Sequence, residues 1–104
     1  NKDYGHILEN LVFLELLRRG YRIYTGEIEE YEIDFICEKN DELIYVQVSL
    51  NLMDEKTRER EFRPLEMIAD NYPKIILSLD SLDFSKSGIR NVNAEQFLKG
   101  DVDL

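Results

Sequence analysis

Two runs of alternating residues, Tyr31 to Glu38 and Glu42 to Ser49, constrain this chain more than any other feature. Alternation at period two is the signature of a strand with one face buried. Asn40 and Asp41 sit between the runs, and both residue types tolerate the positive φ that a two-residue hairpin turn requires. A turn centred there sets Lys39 against Glu42. It also sets Asp34 opposite Gln47, with Cβ atoms roughly 5 Å apart on one sheet face, and Glu32 opposite Ser49. Ile33, Phe35 and Cys37 then point to one face, and Asp34, Ile36 and Glu38 to the other.

The rest of the chain is organised around that hairpin. Asp3 is placed to cap a first helix running to about Arg19, with Gly20 as its stop. Leu8, Leu11, Leu14, Leu17 and their neighbours leave this helix no wide polar face, so one side needs the sheet and the other needs a further partner. Tyr21 to Glu27 reads as a strand broken at Gly26, which completes a three-strand meander. Asp54 opens a second helix whose apolar stripe begins only at Phe62 and continues through Leu65, Ile68 or Ala69, and Tyr72. Projected backwards, that stripe turns Arg58 and Glu61 toward the core. Pro64 predicts a kink or restart. Lys74 to Leu79 is a short apolar run expected as a buried strand reached by a crossover. Asp80 to Gly88 is loop, Ile89 to Asn93 a short edge strand, and Asn93 with Gln96 a capping box for a last helix. The fold class is α/β: helix, three-strand meander, helix, strand, then a small strand and helix, on a mixed sheet.

Length and charge narrow the function. The 104 residues suffice for one domain, residues 1–104, burying roughly two thirds of its unfolded surface. Thirteen basic and 22 acidic side chains give a net charge of −9, which repels a phosphate backbone and disfavours nucleic acid as a partner. Cys37 is alone, so no disulfide framework exists, and a reducing, cytoplasmic setting is expected. No apolar run is long enough to cross a membrane as a helix. His6 has no companion His or Cys for zinc. The chain begins at Asn1 rather than Met and is expected to be a piece of something longer.

An acid on one strand facing the first position of an X-x-X pair on the next is the layout of a metal-dependent nuclease site. Here Gln47-Val48-Ser49 stands where that chemistry wants an acid and a lysine. Mg²⁺ prefers hard, anionic oxygen ligands. Glu9 and Asp34 can supply two, Gln47 only a neutral oxygen, and Ser49 no positive charge. A cation from Lys56, Arg58 or Arg60 would have to substitute. The simpler reading of Asp34 and Gln47 is a hydrogen-bonded pair that holds hairpin register. For Glu9 the simpler reading is a salt bridge to Arg58.

Several segments carry a family resemblance: Glu9 to Leu16, Glu32 to Phe35, Tyr45 to Ser49, Arg60-Glu61, Asp70 to Lys74, Gly88-Ile89 and Asn93 to Leu98. In order and spacing they resemble the domain of unknown function at the C-terminus of prokaryotic predicted AAA+-type ATPases. That domain lies within the restriction-endonuclease-like PD-(D/E)XK superfamily. The resemblance implies a restriction-endonuclease-like sandwich. It matches Glu9 to the first-helix acid, Asp34 to the metal-binding aspartate, Gln47 to the second acid and Ser49 to the lysine, with Ile33 where proline is usual.

The resemblance further implies that ATP belongs to a missing N-terminal ATPase domain, since no phosphate-binding Gly-x-x-x-x-Gly-Lys loop occurs here. The expected role is a degenerate, non-catalytic accessory domain that docks on that ATPase or on a partner, a second copy included, through its apolar first helix. The competing expectation is an Mg²⁺-dependent DNA phosphodiesterase using Glu9 and Asp34 with a displaced cation.

Overall fold

A computed structural model describes residues 2–104, and side chains from Asp3 onward. In chain order the elements are α1 (Lys2–Arg18), β1 (Arg22–Ile28), β2 (Tyr31–Lys39), β3 (Glu42–Val48), α2 (Glu55–Glu66), β4 (Lys74–Ser78), β5 (Ile89–Asn93) and α3 (Ala94–Leu98). The five strands form one mixed sheet in the order β1-β2-β3-β4-β5. The first three are antiparallel neighbours, while β4 runs parallel to both β3 and β5. Helix α2 connects the parallel neighbours β3 and β4, as a crossover must.

The hairpin forms around the predicted turn. Asn40 and Asp41 hold φ of 55° and 64°, so both central residues are left-handed, as a type I′ turn demands. Lys39 pairs with Glu42, and the ladder continues through Glu38–Leu43, Cys37–Ile44 and Ile36–Tyr45 to Phe35–Val46.

Helices cover both sheet faces. On one side Leu8, Val12 and Leu16 of α1 and Phe97 of α3 pack on Phe35, Val46 and Leu77. On the other, Phe62 and Leu65 of α2 pack on Ile33, Tyr45 and Ile76. Ile33 is therefore not on the face of Phe35 and Cys37, as strict alternation had it. The β1–β2 register changes between Tyr24–Ile36 and Gly26–Ile33, so β2 spends one more residue there than β1. A bulge of this kind rotates the side chains beyond it onto the opposite face. Strand β1 also runs through Gly26 instead of breaking there.

Three further expectations need correction. Asp3 lies inside the first turn of α1, where it favours the helix dipole, and is not its cap. Helix α2 passes through Pro64 without a restart, because the proline falls in the last turn and the helix ends two residues later at Glu66. Ile68, Ala69 and Tyr72 consequently lie beyond the helix. Asp54 does cap α2, accepting from the Thr57 N–H, and Asn93 caps α3, accepting from the Gln96 N–H.

Two polar assemblies fasten the layers. Glu15 takes Arg18 and Arg19 at 2.7–2.8 Å, and those guanidiniums hold its carboxyl down to about 2. Arg19 goes on to donate to the carbonyls of Phe97 and Val102 and lies over the Phe97 ring. Across the sheet, the Tyr45 hydroxyl donates to Asp70, which also receives Lys74, pinning the segment after α2 to β3 and β4.

The turn yields a direct check. Asp41→Gly relieves the left-handed strain of a side-chain-bearing residue without touching a packed group, and should stabilise the fold by about 0.5–1 kcal/mol. Urea denaturation with an unchanged slope would measure it.

Candidate functional site

The ladder between β2 and β3 ends at Phe35–Val46, and beyond it side chains take over. The Asp34 N–H donates to Gln47 Oε1 at 2.8 Å, and the Val48 N–H donates to Asp34 Oδ2 at 2.9 Å. Each strand thus satisfies a backbone donor of the other through a side chain. Gln47 is nearly fully buried, and its Nε2 reaches the Glu61 carbonyl of α2 at 3.4 Å. The expected Asp34–Gln47 rung is not part of the ladder; the two residues meet instead through these side-chain hydrogen bonds, which tie the strands together.

Acids gather around this clasp. Glu9 from α1 lines an open cleft of about 410 Å³ together with Asp34, Glu32 and Gly26. Burial pushes the Asp34 carboxyl up to about 6 against the lowering effect of the Val48 N–H, with the charges of Glu9 and Glu32 adding to the rise. Glu61 is pushed up to about 7, first by burial and then by the charges of Asp34 and Glu9, with Arg60 opposing. Asp34 and Glu61 are thus partly desolvated carboxyls whose burial and nearby negative charges favour the protonated form.

The remaining sequence candidates go elsewhere. Arg58 donates to the carbonyls of Leu52 and Met53 and lies 5.0 Å from the Phe84 ring, so neither a site cation nor a salt bridge to Glu9 is formed. Its side chain points to the loop before α2 because the helix starts only at Glu55, one turn from that loop. Ser49 donates its hydroxyl to the Asn51 carbonyl, and its N–H joins β4 through Leu77. Arg60 makes a loose contact with Glu61 at 3.8 Å. Glu61 is the acid that belongs with Glu9 and Asp34. Its core-facing phase on the second helix was the available signal, and it was shared with Arg58, which the structure sends the other way.

The donor set fits a divalent ion poorly. Asp34 Oδ2 and Gln47 Oε1 already accept backbone N–H groups, and among the described residues no lysine or arginine pairs with them. Among the described residues no group of three or more His, Cys, Asp or Glu is arranged to hold a metal ion, and no helix is long and apolar enough to cross a membrane.

Comparison with known proteins gives a family without an activity. The family described as "Domain of unknown function (DUF4143)" matches residues 4–97, and the chain belongs to it. An uncharacterized protein of Haemophilus influenzae is 47% identical over 76 residues, 73% of this chain and 18% of that protein. Uncharacterized protein MJ1544 of Methanocaldococcus jannaschii is 34% identical over 100 residues, 91% of this chain and 22% of its own length. The chain therefore spans about a fifth of these curated relatives. No solved structure matches it.

The raised carboxyl of Glu61 gives a signed expectation. A carboxyl whose folded value lies above its unfolded value binds its proton more readily in the folded state. Stability is then highest below about pH 4.5 as far as this group is concerned, and is lost as pH rises toward about 7. Glu61→Gln should leave the melting temperature unchanged near pH 4.5 and raise it at pH 8, by an increment on the order of 1–3 kcal/mol in unfolding free energy. Thermal melts at the two pH values check this.

Proposed function

We propose that this member of the DUF4143 family is a nuclease-like accessory domain of a larger AAA+-type ATPase, and that it acts by contact instead of phosphodiester chemistry. One observation carries the reading. The acid and amide at the nuclease-motif positions, Asp34 and Gln47, are occupied in closing the fork between β2 and β3. A nuclease of the restriction-endonuclease-like class needs those positions to hold a metal ion and a cation to stabilise developing charge. Here Ser49 and Arg58 are both tied to carbonyls of the loop between β3 and α2. The helix–meander–helix–strand order supports placing the chain in that superfamily. The relatives' greater length supports a larger parent chain, in which the ATP-hydrolysing part would lie.

The contact surface is α1, whose inner residues Leu8, Val12 and Leu16 are buried while Ile7, Leu11, Leu14 and Leu17 are exposed. Leu8 belongs to the core and is no part of that surface. A contiguous apolar surface on a chain of this charge marks an interaction site.

A second reading, an Mg²⁺-dependent DNA phosphodiesterase, draws support from the crowding of Glu9, Asp34 and Glu61, which a divalent ion would relieve. The test separates the two. With Mg²⁺ or Mn²⁺ supplied, cleavage of single- and double-stranded DNA should not rise above an Asp34→Ala control. Metal-dependent cleavage that vanishes in that variant would replace the accessory reading with the enzymatic one.

A further inference from the structure

We propose that the outer edge of β1 receives a further strand, a basic extended segment of a partner protein, whose cationic side chains enter the acidic cleft beside Glu9. This surface is separate from the exposed face of α1 and does not depend on it.

The two edges of a sheet present backbone N–H and C=O groups with no strand to meet them, and proteins ordinarily cover or blunt such edges. This sheet covers one of its two. At β5 the Ile89 N–H donates to the Lys86 carbonyl, the Lys86 N–H donates back to Ile89, and the Asn91 N–H donates to Ser85 Oγ. The loop before β5 thus stands in for a sixth strand. At β1 the outer edge is open. Arg22–Ile28 pair with β2, and among the described residues no loop, helix or side chain bonds to the opposite edge. The usual blunting devices are missing as well. These seven residues hold no proline and no lysine, and the extra residue of the bulge belongs to β2, so β1 itself carries no insertion. Tyr24 is 50% exposed at the middle of the strand.

Charge says which kind of strand fits. Ile23 packs with the core on the α1 side, so by alternation Thr25 and Glu27 face that side too. Glu27 stands directly opposite Glu32, a like-charged pair that costs stability. Glu9 and Asp34 line the same cleft of about 410 Å³, and its lining holds no lysine or arginine. A second copy of the chain would bring its own Glu27 and Glu32 to the edge. A strand with lysine or arginine at every second position brings the missing cations instead. Set about 4.8 Å from β1, it would pair its backbone along the open edge while alternate side chains reach Glu27 and, behind it, Glu32. Backbone and charge would then be read by one strand at once.

The probe is a fluorescent nine-residue peptide of alternating lysine and valine. It should bind the chain, and hydrogen exchange at the Arg22–Ile28 amides should slow on binding. The same peptide with glutamate for lysine should not bind. N-methylation of the lysines alone and of the valines alone blocks opposite edges of the peptide, so one of these two should lose binding and the other keep it. Glu27→Lys should melt no lower than the parent, because it ends the like-charged pair with Glu32, yet weaken the lysine peptide about fivefold or more. Absence of binding overturns the proposal, as does a glutamate peptide that binds equally well. Methylated peptides that behave alike, an affinity indifferent to Glu27→Lys, or β1 amides already protected by self-association without peptide overturn it too.

Discussion

The fork between β2 and β3 is the point on which the rest of the structure depends. Two strands that part leave backbone N–H groups without ladder partners, and a buried donor left unpaired costs about 1–3 kcal/mol. Asp34 and Gln47 close that gap from opposite sides, each accepting from the other strand. Because Gln47 also reaches α2 through the Glu61 carbonyl, the same clasp sets the helix against the sheet. The charged cleft beside it follows from this. The Glu61 carboxyl lies close enough to Asp34 and Glu9 to feel their charges.

Glutamine at this position suits the task better than glutamate would. Its amide accepts from one strand and donates to α2 at once, whereas a carboxylate could only accept and would add a further acid to the cluster of Glu9, Asp34 and Glu61.

What the sequence disclosed was local. The Asn40-Asp41 turn, the caps at Asp54 and Asn93 and the hairpin register follow from short-range rules, and each is in place. What it hid depended on neighbours far away in the chain. The bulge that carries Ile33 to the α2 face shows only when β1 is laid beside β2, since nothing in Ile33-Asp34-Phe35 departs from alternation. Helical phase turned both Arg58 and Glu61 inward, but phase is blind to where the helix begins. With its start at Glu55, a long arginine side chain one turn in finds the loop carbonyls first. Pro64 was harmless for an equally positional reason, its missing donor falling where the helix was about to end.

The bridge from Arg19 to Phe97 and Val102 has a consequence for how the molecule is made. Its hydrogen bonds span 78 and 83 residues, so α1 gains part of its anchorage from a segment translated near the end of this stretch. Strand β4 is likewise needed before β3 is flanked on both sides. A growing polypeptide can shape the meander as soon as Val48 clears the ribosome, but α1 must wait with its leucines only loosely covered. Closing so long a loop adds little to the final cost, since that cost grows only with the logarithm of length, yet it delays the gain until late. During that interval the nascent chain shows both apolar sides of one helix, the condition under which nascent chains engage chaperones or one another.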